Sequence, residues 1–66
     1  MQIWLNSNLI NIADDTNLAQ LIESQNYDSN RVAAEVDMQI VPRTIWNEFK
    51  LKDQMKIEIV EFVGGG

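Results

Sequence analysis

The 66-residue chain has no cysteine and no histidine, one proline, and only three glycines, which stand together as Gly64, Gly65 and Gly66. Without cysteine there is no disulfide, and without cysteine or histidine a structural zinc loses its usual ligands. The same absences remove the thiolate nucleophile and the imidazole base, so catalysis by the chain's own side chains has little to work with. Basic residues are also scarce, five against ten acids, for a net charge of −5. Nucleic-acid binding needs a lysine and arginine surface that this balance does not supply. No apolar run approaches the roughly 20 residues that span a bilayer. Met1-Gln2-Ile3-Trp4 lacks the basic region and long apolar run of a signal peptide. The expectation is a soluble cytoplasmic protein with neither nucleic-acid nor membrane partners. Two uses of the acidic charge stay open: solubility, or steering toward a basic site on another protein.

Sixty-six residues make one domain, whose thin core is worth only about 3–5 kcal/mol net. With 45% apolar residues, that stability has to come from an economical packing of sheet and helix. Met1, Ile3 and Leu5 alternate with Gln2, Trp4 and Asn6, the period of a half-buried strand. Asn6-Ser7-Asn8 is turn chemistry, and Leu9 to Ile12 reads as the returning strand of a hairpin. Asp14-Asp15-Thr16-Asn17 signals a helix start, explaining the two acids by the positive end of the helix dipole. Gln20, three residues after Asn17, fits a capping-box variant. Leu18, Leu21 and Ile22 fall on one helical face, and the helix is expected to fade near Gln25 or Asn26. Arg31 to Val36 is the next strand, followed by a turn at Asp37-Met38-Gln39 and a short strand at Ile40-Val41. Pro42 ends pairing because it has no N–H to donate. Thr44 to Phe49 suggests one short helical turn, Lys52-Asp53-Gln54 a turn, and Met55 to Val63 the final strand. The helix laid on one face of the sheet would bury Ile3, Leu5, Leu18, Leu21, Ile22, Ile57 and Ile59 together.

The glycine end can be read two ways. It can be a frayed or added end, since disorder concentrates at termini. It can also be a probe thin enough to lie extended in a channel that admits no side chain, with the Gly66 α-carboxylate at its tip. Such a carboxyl group has a pKa of about 3.5 and is an anion at neutral pH. It becomes an acyl donor only after one oxygen is turned into a leaving group.

The element order β-β-α-β-(short β)-β is that of the ubiquitin-like β-grasp, an α+β fold with a mixed sheet of four to five strands and one main helix. The chain resembles the ThiS-type sulfur carriers of thiamine biosynthesis. The resemblance rests on Met1-Gln2-Ile3, Thr16 to Glu23, Val32 to Val36, Ile40-Val41-Pro42-Arg43 with Trp46, Ile57 to Val60, and Phe62 to Gly66. It implies a body at 1–63, a flexible tail at 64–66, and a chain that is a co-substrate rather than an enzyme. An ATP-using, ubiquitin-activating-like enzyme would adenylate Gly66, and a sulfur donor such as a cysteine desulfurase would convert it to a thiocarboxylate. Thiazole synthase would receive the sulfur. No cofactor would be bound by the chain itself. Gly64, Gly65 and Gly66 would thread the partner channel. The small subunit of molybdopterin synthase, a ubiquitin-like modifier and an inert acidic interaction domain are the competing readings. Two departures fall in turns: Asp37-Met38 stands where the family often has Asn-Gly, and Asp53-Gln54-Met55 where it has Asp-Gly-Asp. If those turns need positive φ, each missing glycine costs about 1 kcal/mol.

Docking requires a surface. With Ile3, Leu5, Ile57 and Ile59 facing the helix, Trp4, Glu58, Val60 and Phe62 project from the opposite face. Since the first and last strands of a β-grasp are neighbours, Trp4 is expected close to Val60 and Phe62. The patch has the makeup of a protein-binding surface; the alternative is that Trp4 or Phe62 folds over a sheet edge and serves stability alone. Trp46 and Pro42-Arg43 read mainly as structure, with Arg43 open to an ion pair.

Overall fold

The computed structural model describes residues 1–62, so Val63 and the glycine end lie outside the described residues, as does the expected body–tail boundary. Among the described residues, five strands and two helical segments run in the order β1 (Gln2–Leu5), β2 (Asn8–Asn11), α1 (Leu18–Ser24), β3 (Val32–Val36), β4 (Gln39–Ile40), a 3-10 helix (Arg43–Glu48) and β5 (Lys56–Glu61). The sheet order is β2-β1-β5-β3-β4. β1 and β5 are parallel, and the other pairings are antiparallel. This is the β-grasp, as the element order implies.

Local chemistry sets the boundaries. Asn17 caps α1 reciprocally with Gln20: its Oδ1 accepts the Gln20 N–H at 2.8 Å, and its own N–H donates to Gln20 Oε1 at 2.9 Å. Such a capping box satisfies two donors that the first helical turn would leave orphaned. Asp14 and Asp15 precede that cap and are not in the first turn of α1, so the helix-dipole explanation given for them fails. The Asp14 carboxylate instead meets the Met1 ammonium at 3.2 Å. Asn26, at φ 64°, follows the end of α1.

Both hairpins close through two-residue turns, Asn6-Ser7 (φ 47° and 70°) and Asp37-Met38 (φ 49° and 72°). Positive φ at both central residues is the twist-matched hairpin turn. The second turn is one residue shorter than its sequence suggests, so β4 pairs through Gln39–Ile40, and Val41 turns inward to donate its N–H to Ala34 O at 3.0 Å. Gln54 also has positive φ, at 68°.

All seven residues expected in the core are buried, joined by Val32, Ala34, Val36, Val41, Trp46 and Leu51. Burying each large aliphatic side chain contributes about 1.5–3 kcal/mol. Trp46 is buried within the core and donates its indole N–H to Val41 O at 2.8 Å. Among the described residues Arg43 makes no ion pair; its guanidinium donates to Asn30 Oδ1 at 2.8 Å and to Ser29 O at 3.3 Å. The helical segment containing Trp46 spans six residues rather than one short turn. Backbone bonds Leu18 N–H to Phe49 O and Leu51 N–H to Thr16 O, both 2.9 Å, tie it to the start of α1.

Candidate functional site

Helix α1 covers one face of the sheet, and pleating sends alternate side chains to the other. Trp4, Glu58, Val60 and Phe62 all stand exposed, Trp4, Glu58 and Val60 on that outer face and Phe62 just beyond β5. Trp4 lies opposite Leu9 on β2 and opposite Lys56 on β5. It is therefore not beside Val60, contrary to the expectation that β1 and β5 would bring Trp4 close to Val60 and Phe62. Four residues of strand separate Lys56 from Val60, about 13 Å at 3.3 Å per residue.

The face accordingly has two apolar ends with charge between them. At one end Trp4 (36% exposed) packs alongside Leu9 (45%). At the other, Val60 (52%) and Phe62 (59%) are among the last described residues, with Val60 paired to Ala33. Between them Glu58 sits opposite Glu35, and Glu35 opposite the exposed Ile40. Leu9, Ile40 and Glu35 belong to this face but were not singled out from sequence. Their alternation places them outward, yet only the strand register shows whom they sit beside.

Asn6 fixes where β1 stops. Its backbone N–H donates to Ile57 O at 2.9 Å, and its Oδ1 accepts the Ile59 N–H at 2.8 Å. Its amide also donates to Tyr27 Oη at 3.3 Å. The side chain thus occupies the ladder position that another β1 residue would fill.

Among the described residues, open hollows of about 320 and 460 Å³ interrupt the surface. They reach the low end of ligand-site volumes. The first is lined by Trp4, Ser7, Lys56, Ile57 and Glu58, the second by the Asn11–Thr16 loop with Gln20, Ser24 and Gln25. Among the described residues no group of three or more acids could hold a metal ion, and no helix is long and apolar enough to cross a membrane. Gly64, Gly65 and Gly66 lie outside the described residues.

Comparison with known proteins bears on the whole chain. The ThiS family model matches residues 3–66. A protein named ycf40 in Pyropia yezoensis is 32% identical over all 66 residues, which cover 93% of its length; its counterpart in Porphyra purpurea is 29% identical with the same coverage. A protein named thiazole synthase in Paramagnetospirillum magneticum is also 32% identical over the full chain, which spans only 20% of that larger protein. Among solved structures, the crystal structure of the thiamine biosynthesis protein ThiS from Geobacter metallireducens superposes over all of both chains with a TM-score of 0.86 at 22% identity, a likeness of fold. The solution structure of the Geobacter protein gives 0.81, covering 88% of that chain. This chain belongs to the ThiS family, the ubiquitin-like β-grasp sulfur carriers of thiamine biosynthesis.

Proposed function

We propose that the reacting group is the Gly66 carboxylate, and that the chain is a co-substrate charged and discharged by partner enzymes. A Gly66 oxygen attacks the α-phosphorus of ATP on an adenylating enzyme, expelling pyrophosphate and leaving an acyl-adenylate. The terminal sulfur of a cysteine persulfide then attacks the carbonyl carbon and AMP departs, giving an acyl disulfide. A second thiol breaks that S–S bond, taking the persulfide-derived cysteine into a new disulfide and releasing the thiocarboxylate. The sulfur then passes to thiazole synthase. The chain's own contribution is geometric: a rigid β-grasp body and a glycine end that reaches about 10 Å when three residues are extended.

The observation that most supports this reading is that the family match runs through residue 66, so the glycine end belongs to what the chain shares with its relatives. The thiazole synthase of Paramagnetospirillum magneticum, a fifth of which is similar to this chain, supports thiazole synthase as the acceptor. The scarcity of Lys and Arg and the exposed outer face favour a protein partner with a basic surface.

Intact-mass analysis after incubation with the adenylating enzyme of the same genome, ATP and a cysteine desulfurase tests the reading. Exchange of one terminal oxygen for sulfur is the expected result. Lysine adducts on other proteins would identify a modifier instead, and no ATP-dependent change would identify an inert domain. Deleting Gly66 should abolish loading while the melting temperature stays within about 2 °C, because terminal residues contribute little to stability. Normal loading of the truncated chain would refute the assignment of Gly66.

A further inference from the structure

Beyond Ile57, strand β5 outruns its neighbour. β1 pairs with it only through Trp4–Lys56 and Leu5–Ile57, after which the chain turns away at Asn6-Ser7. On the other side β3 accompanies β5 to Glu61, and Phe62 still donates its N–H to Arg31 O at 2.7 Å. Antiparallel ladders alternate, so residues that bond one neighbour point their backbone groups away from the other. Even-numbered residues of β5 bond β3: Lys56 O accepts from Asp37, and Phe62 N–H donates to Arg31. Odd-numbered residues therefore aim at the β1 side, as the bonds from Asn6 N–H to Ile57 O and from Ile59 N–H to Asn6 Oδ1 confirm. Past that cap, Ile59 C=O, Glu61 N–H and Glu61 C=O follow on the same side. Among the described residues no strand lies opposite them.

We propose that this bare edge receives an extended segment of the adenylating enzyme, which adds beside Ile59–Glu61 as a short sixth strand. The proposal rests on the carrier reading above. Strand addition supplies main-chain hydrogen bonds at an exposed sheet edge, and here it would fix the direction in which the chain leaves the sheet toward Gly66. Charge selects the occupant. Glu58 and Glu61 lie on the strand itself and Glu35 on the next. A second copy would set these acids against their own counterparts on a chain of net charge −5, and like charges facing across a ladder are unfavourable. A partner segment carrying lysine or arginine has the complementary charge. Asn6 confines the addition: its side chain already occupies the Ile59 N–H, so the incoming strand begins at Ile59 C=O.

Amide hydrogen exchange, read by NMR on the wild-type chain with and without saturating adenylating enzyme, tests this directly. The Glu61 amide should exchange at least about tenfold more slowly in the complex. Val60 and Phe62 amides, already bonded toward β3, serve as internal references. A Glu61 amide that exchanges equally fast in a complex still able to charge Gly66 would overturn strand addition alone. Absence of any complex or charging would instead count against the carrier reading. Glu61→Pro against Glu61→Ala gives an independent measure, since proline removes only an N–H that faces away from β3. Glu61→Pro should bind the enzyme about fivefold to tenfold more weakly than Glu61→Ala. Equal affinities for two folded variants would overturn the proposal.

Discussion

Glu35 and Glu58 stand directly opposite one another across β3 and β5, both on the outer face of the sheet. Neither is in an ion pair among the described residues. A like-charge pair in that position costs stability, about 0.2–1 kcal/mol, in a domain with little to spare. Its presence fits a surface that meets positive charge from outside.

Glu58→Gln should accordingly stabilise the isolated domain by about 0.3–0.5 kcal/mol, measured as a rise in the urea midpoint at low ionic strength. The same substitution should slow association with the adenylating enzyme and flatten its dependence on salt. If stability falls, or if the association rate and its salt dependence are unchanged, the pair is not a landing point for a basic partner.

The faces of this fold were legible in sequence, and the neighbours were not. Alternation around Ile3 and Leu5, and around Ile57 and Ile59, assigns each side chain to core or surface because strand pleating is a local property. The capping box at Asn17 and Gln20 is equally local. Register between β1 and β5 is not. It joins segments about fifty residues apart, and no periodicity says that Trp4 aligns with Lys56 rather than Val60. The same limit hid Leu9 and Ile40 as members of the patch, and the bond between Asn6 and Ile59. Asp14 misled for a different reason. A run of acids before a helix imitates a dipole contact, whereas the Met1 ammonium that Asp14 meets is thirteen residues distant.

Met38 and Gln54 hold φ of 72° and 68° without being glycine. The left-handed region costs an ordinary residue about 1–2 kcal/mol, part of which returns as chain entropy when glycine replaces it. Met38→Gly and Gln54→Gly should each stabilise the domain by about 0.5–1 kcal/mol. Since 1 kcal/mol shifts the midpoint of a domain this size by about 4–8 °C, the double variant should melt several degrees higher. A lower melting temperature would show that contacts of the Met38 and Gln54 side chains outweigh the backbone strain.

The two tryptophans should behave oppositely. Trp46 is buried and holds Val41 O through its indole N–H, whereas Trp4 is solvent-facing. Trp46→Phe leaves a buried carbonyl without its partner and a gap beside it. Together these should lower unfolding free energy by about 2–3 kcal/mol in a urea titration. Trp4→Phe should change it by less than about 0.5 kcal/mol. Comparable losses in both variants would mean that Trp4 serves the core.

Because Trp4 and Phe62 sit at opposite ends of the outer face, they should contribute to docking independently. Substitutions more than about 7–10 Å apart with no shared partner add to within about 0.5 kcal/mol. Aromatic side chains in the centre of a protein interface typically lose 1 kcal/mol or more on truncation. Trp4→Ala and Phe62→Ala should therefore each weaken binding to the adenylating enzyme by about fivefold or more, the double variant should show the product of the two effects, and circular dichroism should show the fold retained. The Trp4→Ala effect decides how far the footprint extends. If only Phe62→Ala weakens binding, the enzyme contacts the end of β5 alone, and Trp4 and Leu9 lie outside the interface. If neither does, the outer face is not the docking surface, and the hydrogen-bonding edge at Glu61 is left as the remaining point of contact.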